Sequence, residues 1–291
     1  MSRTAPRALG PDSWLWRYAG DRRLALVGFS GGVLQLMHPG LGAGVAEHSS
    51  FFEDPWARII RSVPQILGVV YDPHPEVVGR RVRDYHRHIH GIDSQGRRYR
   101  ALNPETFWWA HATFQFMVEQ LIDRFDTHRL TAGERRSLYL DGVEWYRRYG
   151  VSARAVPPDY AAFRRQWSSY CNEVLEMTPA AARALDMALH PGRHDPVPFL
   201  PAWSLPFQRF TVTPLVRLTT IGGLPPVVRR RFGIPWRVDE EMELRSLEFA
   251  VRQSFRLMPD SWRLGPIANA GRRAAADPSA APPSAPAGAA A

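Results

Sequence analysis

Apolar residues recur along most of the chain at the three- and four-residue spacing of amphipathic helices. Ten such segments are separated by Pro or Gly, whereas the strict alternation of a half-buried strand is scarce. The segments cover residues 24–38, 54–71, 74–90, 104–126, 132–149, 158–174, 179–190, 207–222, 225–231 and 239–256. Thr131 and Glu134 have capping-box spacing, and Pro104 and Pro179 stand where first-turn residues belong. The pattern predicts an all-α protein, with one globular domain of about ten helices.

The two ends of the chain differ from this helical body. We expect residues 1–20 to form an N-terminal segment and residues 21–270 to form the helical domain. Ala and Pro dominate residues 274–291, and such a composition cannot bury a core. We therefore expect a disordered tail there that contributes nothing to stability.

The 37 basic residues are all arginine, because the chain contains no lysine, and they exceed the 28 acidic residues. Without an ε-amine the chain cannot build a P-loop, a Schiff base or a pyridoxal-phosphate site. Clustered arginines are also the electrostatic footprint of nucleic-acid binding. The arginines between residues 80 and 100 are interrupted by apolar helix positions, so we favour a solvated surface and no nucleic-acid partner.

The single cysteine, Cys171, excludes an intramolecular disulfide, a multi-cysteine zinc site and a protein-held iron–sulfur cluster. Residues 1–20 lack the charged start and the apolar core of a secretory signal. The most apolar stretch, residues 24–37, is too short for a bilayer span and contains a Gly-Gly pair. We expect no transmembrane helix and a cytoplasmic location, with peripheral membrane contact left open.

His86 is the most informative histidine because it falls on an apolar face of the helix predicted over residues 74–90. Val82 lies four positions before it and Ile89 three positions after it. A neutral imidazole on such a face can bind iron through one nitrogen while the other donates a hydrogen bond. A core histidine without further function has the same spacing, and spacing alone favours that second interpretation.

Arg58, Arg61 and Ser62 share one face of the helix predicted over residues 54–71, at positions i, i+3 and i+4. If buried, two guanidinium groups beside a hydroxyl form a pocket for an anion or an oxygen ligand. Because arginine is mostly exposed in proteins, spacing alone favours a solvated face. Pro64 is expected to break this helix about one turn later.

Two more histidines lie in segments that could carry chemistry. His111 stands within an aromatic, otherwise apolar helix, where core packing is the usual explanation. His38 precedes Pro39, where a loop or a helix-cap role is equally open. No His-Glu-x-x-His zinc motif occurs. The segment from Gly28 to Gly32 only approximates the Gly-x-Ser-x-Gly elbow of serine hydrolases and lacks its strand context.

Several stretches, taken in their order along the chain, resemble one known family. They are residues 9–18, 34–49, 54–58, 82–86, 96–105, 109–113, 223–226 and 232–236. With these stretches, which span about residues 9–270, the chain is similar to bacterial members of the MpaB-type oxygenase family, which includes the latex-clearing rubber oxygenases. Their shared order is more specific than any single stretch.

The resemblance implies a helical protein that encloses a pocket for non-covalently bound haem b. It aligns His86 with the family's proximal iron ligand, and Arg58, Arg61 and Ser62 with a segment that lines the distal side. Arg61 and Ser62 replace a lysine and a threonine of that segment. Because a guanidinium stays protonated, we expect an open or water-bound distal site.

With the resemblance included, we expect a haem-b-dependent oxygenase that combines dioxygen with a small apolar, isoprenoid or lipid-like substrate. His86 is the expected iron ligand, and His38 and His111 are further candidates for contact with the cofactor. Two alternatives stay open: a haem-binding or gas-sensing protein without turnover, and a helical interaction protein that has lost haem. Cys171 is disfavoured as a ligand, because free cysteines without electropositive neighbours are commonly buried.

Overall fold

The computed structural model describes residues 9–190 and 205–277, which form fourteen α-helices and one small antiparallel sheet. The helices are α1 (Trp14–Tyr18), α2 (Ala25–Leu36), α3 (Pro39–His48), α4 (Pro55–Tyr71), α5 (Pro75–Asp84), α6 (Pro104–Phe125), α7 (Ala132–Arg148), α8 (Tyr160–Ser169), α9 (Pro179–Leu189), α10 (Leu205–Gly223), α11 (Pro226–Arg231), α12 (Val238–Arg256), α13 (Asp260–Arg263) and α14 (Pro266–Ala276). The sheet pairs β1 (His90–Ile92) with β2 (Arg98–Arg100). The all-α prediction is confirmed.

Local signals explain where the central helices begin. Thr131 caps α7 with a complete capping box: its hydroxyl accepts from the Glu134 amide at 3.2 Å, and the Glu134 carboxylate accepts from the Thr131 amide at 2.7 Å. Pro104 and Pro179 occupy the first turns of α6 and α9, as expected. Side-chain caps of this kind pair amides that a helix cannot satisfy by itself.

The core is centred on α6, which buries fourteen of its 22 residues. Helices α2, α7 and α12 pack against it, and α10 packs against α2. Aromatic rings fill much of the interior: Trp109 stacks on Trp167 at 4.8 Å and on Tyr170 at 4.6 Å between ring centroids. Burying each such ring contributes about 2 kcal/mol, which makes α6 the scaffold for the side chains it carries.

Helix α3 is not predicted by the hydrophobic pattern, because its ten residues include three glycines. At Gly42 a Cβ atom would lie 2.4 Å from the Leu36 carbonyl oxygen and 2.6 Å from Thr178 Oγ1. Only glycine permits this approach, which packs the start of α3 against the end of α2 and the cap of α9. Close packing thus compensates for poor helix propensity.

The helix predicted over residues 74–90 is shorter in the structure and ends at Asp84. The chain then turns and enters the β1–β2 hairpin. Asp93 sets the hairpin turn by accepting hydrogen bonds from two amides that follow it, and Gly96 adopts a positive φ of 79°. The prediction that His86 lies on a helix is therefore wrong: it lies in the turn after α5.

The expectation that Pro64 breaks its helix is also wrong, because α4 continues through it to Tyr71. A proline has no amide to donate, so one bond to the carbonyl four residues earlier is lost. Helices α5 and α14 pack against α4 and stabilise the rest of it. The helix therefore tolerates the missing bond.

No single helix in residues 9–190 and 205–277 is both long and apolar enough to cross a membrane. One pair of helical segments is together long and apolar enough to cross a membrane, namely Arg22–Leu36 and Pro39–His48. The two segments are bent relative to each other by 101°. The disordered tail is expected over residues 274–291, but helix α14 extends to Ala276, so residues 274–276 are helical. Residues 278–291 lie outside the described residues.

Candidate functional site

A cavity of about 950 Å³ lies among α2, α4, α6, α9 and α10, and most of its lining is apolar. Eight Phe, Trp and Tyr side chains contribute to the wall: Phe29, Phe51, Phe52, Trp56, Tyr85, Phe107, Phe114 and Tyr149. A volume of this size is at the upper end of the range for small-molecule and cofactor sites. The cavity can hold a large apolar molecule.

Two glycines one turn apart on α2, Gly28 and Gly32, help to keep this cavity open. Both line it, and a Cβ atom at either position would meet nothing within 4 Å, so a larger side chain would project into free space. Ser30, between them, is buried and donates to the Val27 carbonyl at 2.8 Å, so no serine-hydrolase elbow is formed. In the sequence, these glycines suggest only an approximate serine-hydrolase elbow, although their four-residue spacing places both on one face of α2.

His86 lines the cavity in a defined tautomer. Its Nδ1 lies 2.7 Å from the Val82 carbonyl oxygen, and because a carbonyl only accepts, Nδ1 carries the proton. Nε2 keeps its lone pair, and no group of the described residues hydrogen-bonds to it. Burial lowers the pKa of His86, and the charge of Arg58 lowers this pKa further, so the ring is neutral at pH 7.

Arg58 and Ser62 line the cavity from α4, whereas Arg61 does not. The Arg58 guanidinium donates to the Ser62 hydroxyl, which donates to the Arg58 carbonyl at 2.8 Å. Burial and, secondarily, the charge of Arg61 lower the pKa of Arg58. Arg61 is exposed and donates to Ser50 Oγ at 3.3 Å. Of the three residues predicted to share a face, only Arg58 and Ser62 come together at the cavity.

The two other candidate histidines have different positions. His111 lines the cavity, and its Nε2 lies 2.7 Å from the Gly142 carbonyl oxygen while its buried Nδ1 has no partner among the described residues. His38 is also buried but does not line the cavity; it precedes α3 and stacks on Tyr170 at 6.0 Å between ring centroids. Burial lowers the pKa of each to about 4. The structure thus does not bring His38 to the cavity.

Other metal-binding groups are scarce in the part of the chain that the structure describes. Residues 9–190 and 205–277 contain no cluster of three or more His, Cys, Asp or Glu side chains able to hold an ion. Burial raises the pKa of Cys171 to about 12, so its thiol stays protonated. The histidines that line the cavity in the described residues are His86 and His111, each with one unprotonated nitrogen.

The fold and the cavity define a mostly helical protein that encloses a mostly apolar site, with a neutral histidine and a half-buried arginine in its wall. The profile of one protein family, described as "ER-bound oxygenase mpaB/B'/Rubber oxygenase, catalytic domain", matches residues 16–253. The chain belongs to this family of oxygenase catalytic domains, which confirms the resemblance. Comparisons with curated proteins and with solved structures find no match to the chain.

Proposed function

We propose that this chain is a haem-b-dependent oxygenase that acts on an apolar substrate held in the large cavity. Family membership supplies the reaction class. The observation that carries the proposal is the state of His86: Nδ1 is engaged by the Val82 carbonyl, and a neutral, unpaired Nε2 remains at the wall of an apolar cavity.

The residues present fit haem b. Haem b would need a single nitrogen ligand from the protein, and His86 would supply it through its free Nε2. The hydrogen bond from Nδ1 to a backbone carbonyl orients the ring and increases its basicity, as is common for histidines that bind metals. The apolar walls suit the macrocycle, and no further protein ligand is required.

When bound, haem b supplies the activation of dioxygen, and the protein supplies binding, orientation and polarity. Arg58 contributes a half-buried positive charge at the cavity wall that can stabilise negative charge on oxygen inside the cavity. Ser62 accepts from the guanidinium and holds it in place. The aromatic walls bind an apolar substrate and exclude water, which strengthens the field of Arg58.

Haem binding can be tested on the purified protein by its absorption spectrum after reconstitution. We expect a Soret band with one haem per chain in the wild type, loss of the band in His86→Ala, and full retention in His88→Ala. His88 is exposed and does not line the cavity, so it is a matched control. Full haem occupancy with an unchanged Soret maximum in His86→Ala would overturn the assignment of the ligand.

Catalysis can be tested with the haem-loaded protein in an oxygen electrode. We expect oxygen uptake that depends on an added apolar alkene, such as an isoprenoid oligomer or an unsaturated fatty-acid ester. Haem binding without uptake across such a panel would instead favour a gas-binding protein without turnover. The absence of any Soret band after reconstitution would favour an interaction protein without haem.

A further inference from the structure

A second, smaller cavity of about 380 Å³ lies beside the turn that carries His86. His86 and Ile89 line both cavities, so the two share this part of their walls. The linings differ in character. The large cavity is mostly apolar, whereas three arginines line the small one: Arg87, Arg100 and Arg154.

The charges around the small cavity do not cancel. Arg87 pairs with Asp84 at 2.9 Å, and Arg154 pairs with Glu105 at 3.1 Å. Arg100 forms no ion pair or side-chain hydrogen bond with any of the described residues. Its guanidinium has five donors in a planar fork, the geometry that matches a carboxylate or a phosphate.

The first turn of α6 adds to this positive potential. Asn103, which lines the small cavity, is the N-cap of this 22-residue helix, and Pro104 is its first residue. The N-terminus of a long helix carries a partial positive charge that favours anions. The side chain of Asn103 is already engaged with the Glu105 amide at 3.0 Å, so Arg100 is the unpaired donor that a ligand would meet.

We propose that the small cavity binds a carboxylate of the molecule that occupies the large cavity, with Arg100 as its main partner. This inference rests on the proposed function. The arginines of the large cavity are less available: Arg58 donates to Ser62, and Arg183 donates to the Phe52 carbonyl and lies over the Phe52 ring. Two sources have the required chemistry, namely the propionate groups of haem b and the head group of a long-chain fatty acid.

The first experiment compares haem b with its dimethyl ester, in which both carboxylates are neutralised. The apoprotein is titrated with each and the Soret absorbance is recorded. If the propionates are the source, the wild type binds haem about two- to fivefold more tightly than the ester, the effect of one charge pair at an exposed arginine. Arg100→Gln should abolish this preference by weakening haem binding while leaving ester binding unchanged.

Arg98→Gln is the matched control. Arg98 lies two residues earlier on the same strand, on the same side of the sheet, and is exposed like Arg100, but it does not line the small cavity. The same loss of charge there should leave the preference for haem over its ester intact. An equal effect of the two variants would assign the preference to the general charge of the surface and would overturn the role of Arg100.

The second experiment distinguishes the other source. Binding of a long-chain fatty acid and of the matching fatty alcohol is measured by calorimetry, on the haem-loaded protein or, if no haem binds, on the protein as purified. We expect the wild type to bind the acid about two- to fivefold more tightly than the alcohol if the substrate is the source. Arg100→Gln should then remove this preference, and Arg98→Gln should keep it. The inference is overturned if Arg100→Gln changes neither preference. Failure of the wild type to bind any haem would refute the proposed cofactor and leave this second test intact.

Discussion

Two histidines in the cavity wall are held in opposite tautomers by backbone carbonyls. His86 donates from Nδ1 to Val82, whereas His111 donates from Nε2 to Gly142. Both rings have one unprotonated nitrogen. In His111 this nitrogen, Nδ1, is buried and has no hydrogen-bond partner, whereas in His86 it is Nε2, which is accessible. Accessibility of one nitrogen, rather than burial of the ring, therefore distinguishes the candidate ligand from a core histidine.

At Arg58, we expect Arg58→Ala to retain haem but to lower substrate-dependent oxygen uptake about 10²- to 10³-fold, the usual effect of removing one preorganised donor. Arg61→Ala, three residues later on the same helix, removes an exposed charge and should change uptake little. Haem content by absorbance and initial uptake rates provide the measurement. Equal losses in both variants would contradict the distinction that the structure draws between the two arginines.

The buried histidines predict a pH dependence of stability. His38 and His111 have pKa values of about 4 in the folded chain because burial disfavours their charged form, and both titrate near about 6.5 when unfolded. As the pH falls below the unfolded value, the unfolded state takes up protons first, so stability is lost between about pH 6.5 and 4. We expect each histidine to lower the free energy of unfolding by about 2 kcal/mol between pH 7 and pH 5.

Urea denaturation at the two pH values measures this loss. In His111→Gln, the free energy of unfolding should fall by about 2 kcal/mol less between pH 7 and pH 5 than in the wild type. His88→Gln, at an exposed position, should show the same fall as the wild type. Other groups titrate in the same range, so the difference between variant and wild type is the relevant quantity. If His111→Gln lost as much stability as the wild type between pH 7 and pH 5, His111 would not contribute to the pH dependence.

At the scale of elements, the contact between α5 and α7 positions the turn that carries His86. A Cβ atom at Gly79 would lie 2.2 Å from the Arg148 carbonyl oxygen, so α5 can approach α7 this closely only with glycine there. We expect Gly79→Ala to displace α5, to destabilise the fold by about 1–3 kcal/mol and to reduce haem retention, although the residue does not line the cavity.

Gly133→Ala on α7 is the matched control, because a Cβ atom there meets only Thr131 Oγ1 at 3.9 Å. It should leave haem binding unchanged and make the helix slightly more stable, by up to about 1 kcal/mol. Thermal unfolding and Soret absorbance on the same samples give both readings. If Gly79→Ala behaved like this control, the close approach of the two helices would not be what positions His86.

At the scale of the whole molecule, a buried ionic network joins segments far apart in sequence. Asp21 has a fully buried side chain that pairs with Arg23 at 2.8 Å and Arg263 at 2.6 Å, and Arg23 also pairs with Asp126 at 2.7 Å. Asp21→Asn removes the central charge. We expect it to lower the free energy of unfolding by about 3–5 kcal/mol, because the arginines stay buried without full compensation.

The control is Asp260→Asn, which removes a carboxylate whose side chain is 56% exposed and pairs with Arg263 and Arg272. Exposed pairs contribute little, so we expect a change within about 1 kcal/mol. Denaturant titrations compare the two variants under the same conditions. A similar small change for Asp21→Asn would mean that water compensates the network.

The sequence by itself determined most helices, because apolar spacing and the caps at Thr131, Pro104 and Pro179 are local signals. It also selected His86 and the family, from residues near in sequence and from their order. It did not predict α3, whose glycine-rich chain is helical only because Gly42 allows contact with α2 and the cap of α9. Thr178, the cap of α9, lies more than a hundred positions from Gly42, so no local pattern contains this contact.

Only the tertiary structure decided which candidate side chains face the cavity. The spacing of Arg58 and Arg61 predicts a shared helix face, but their burial depends on the elements that cover α4, and these cover Arg58 and leave Arg61 exposed. The tautomer of His86 depends on where the Val82 carbonyl lies once α5 ends at Asp84. Burial and proton position are properties of the packed chain, so no local pattern contains them.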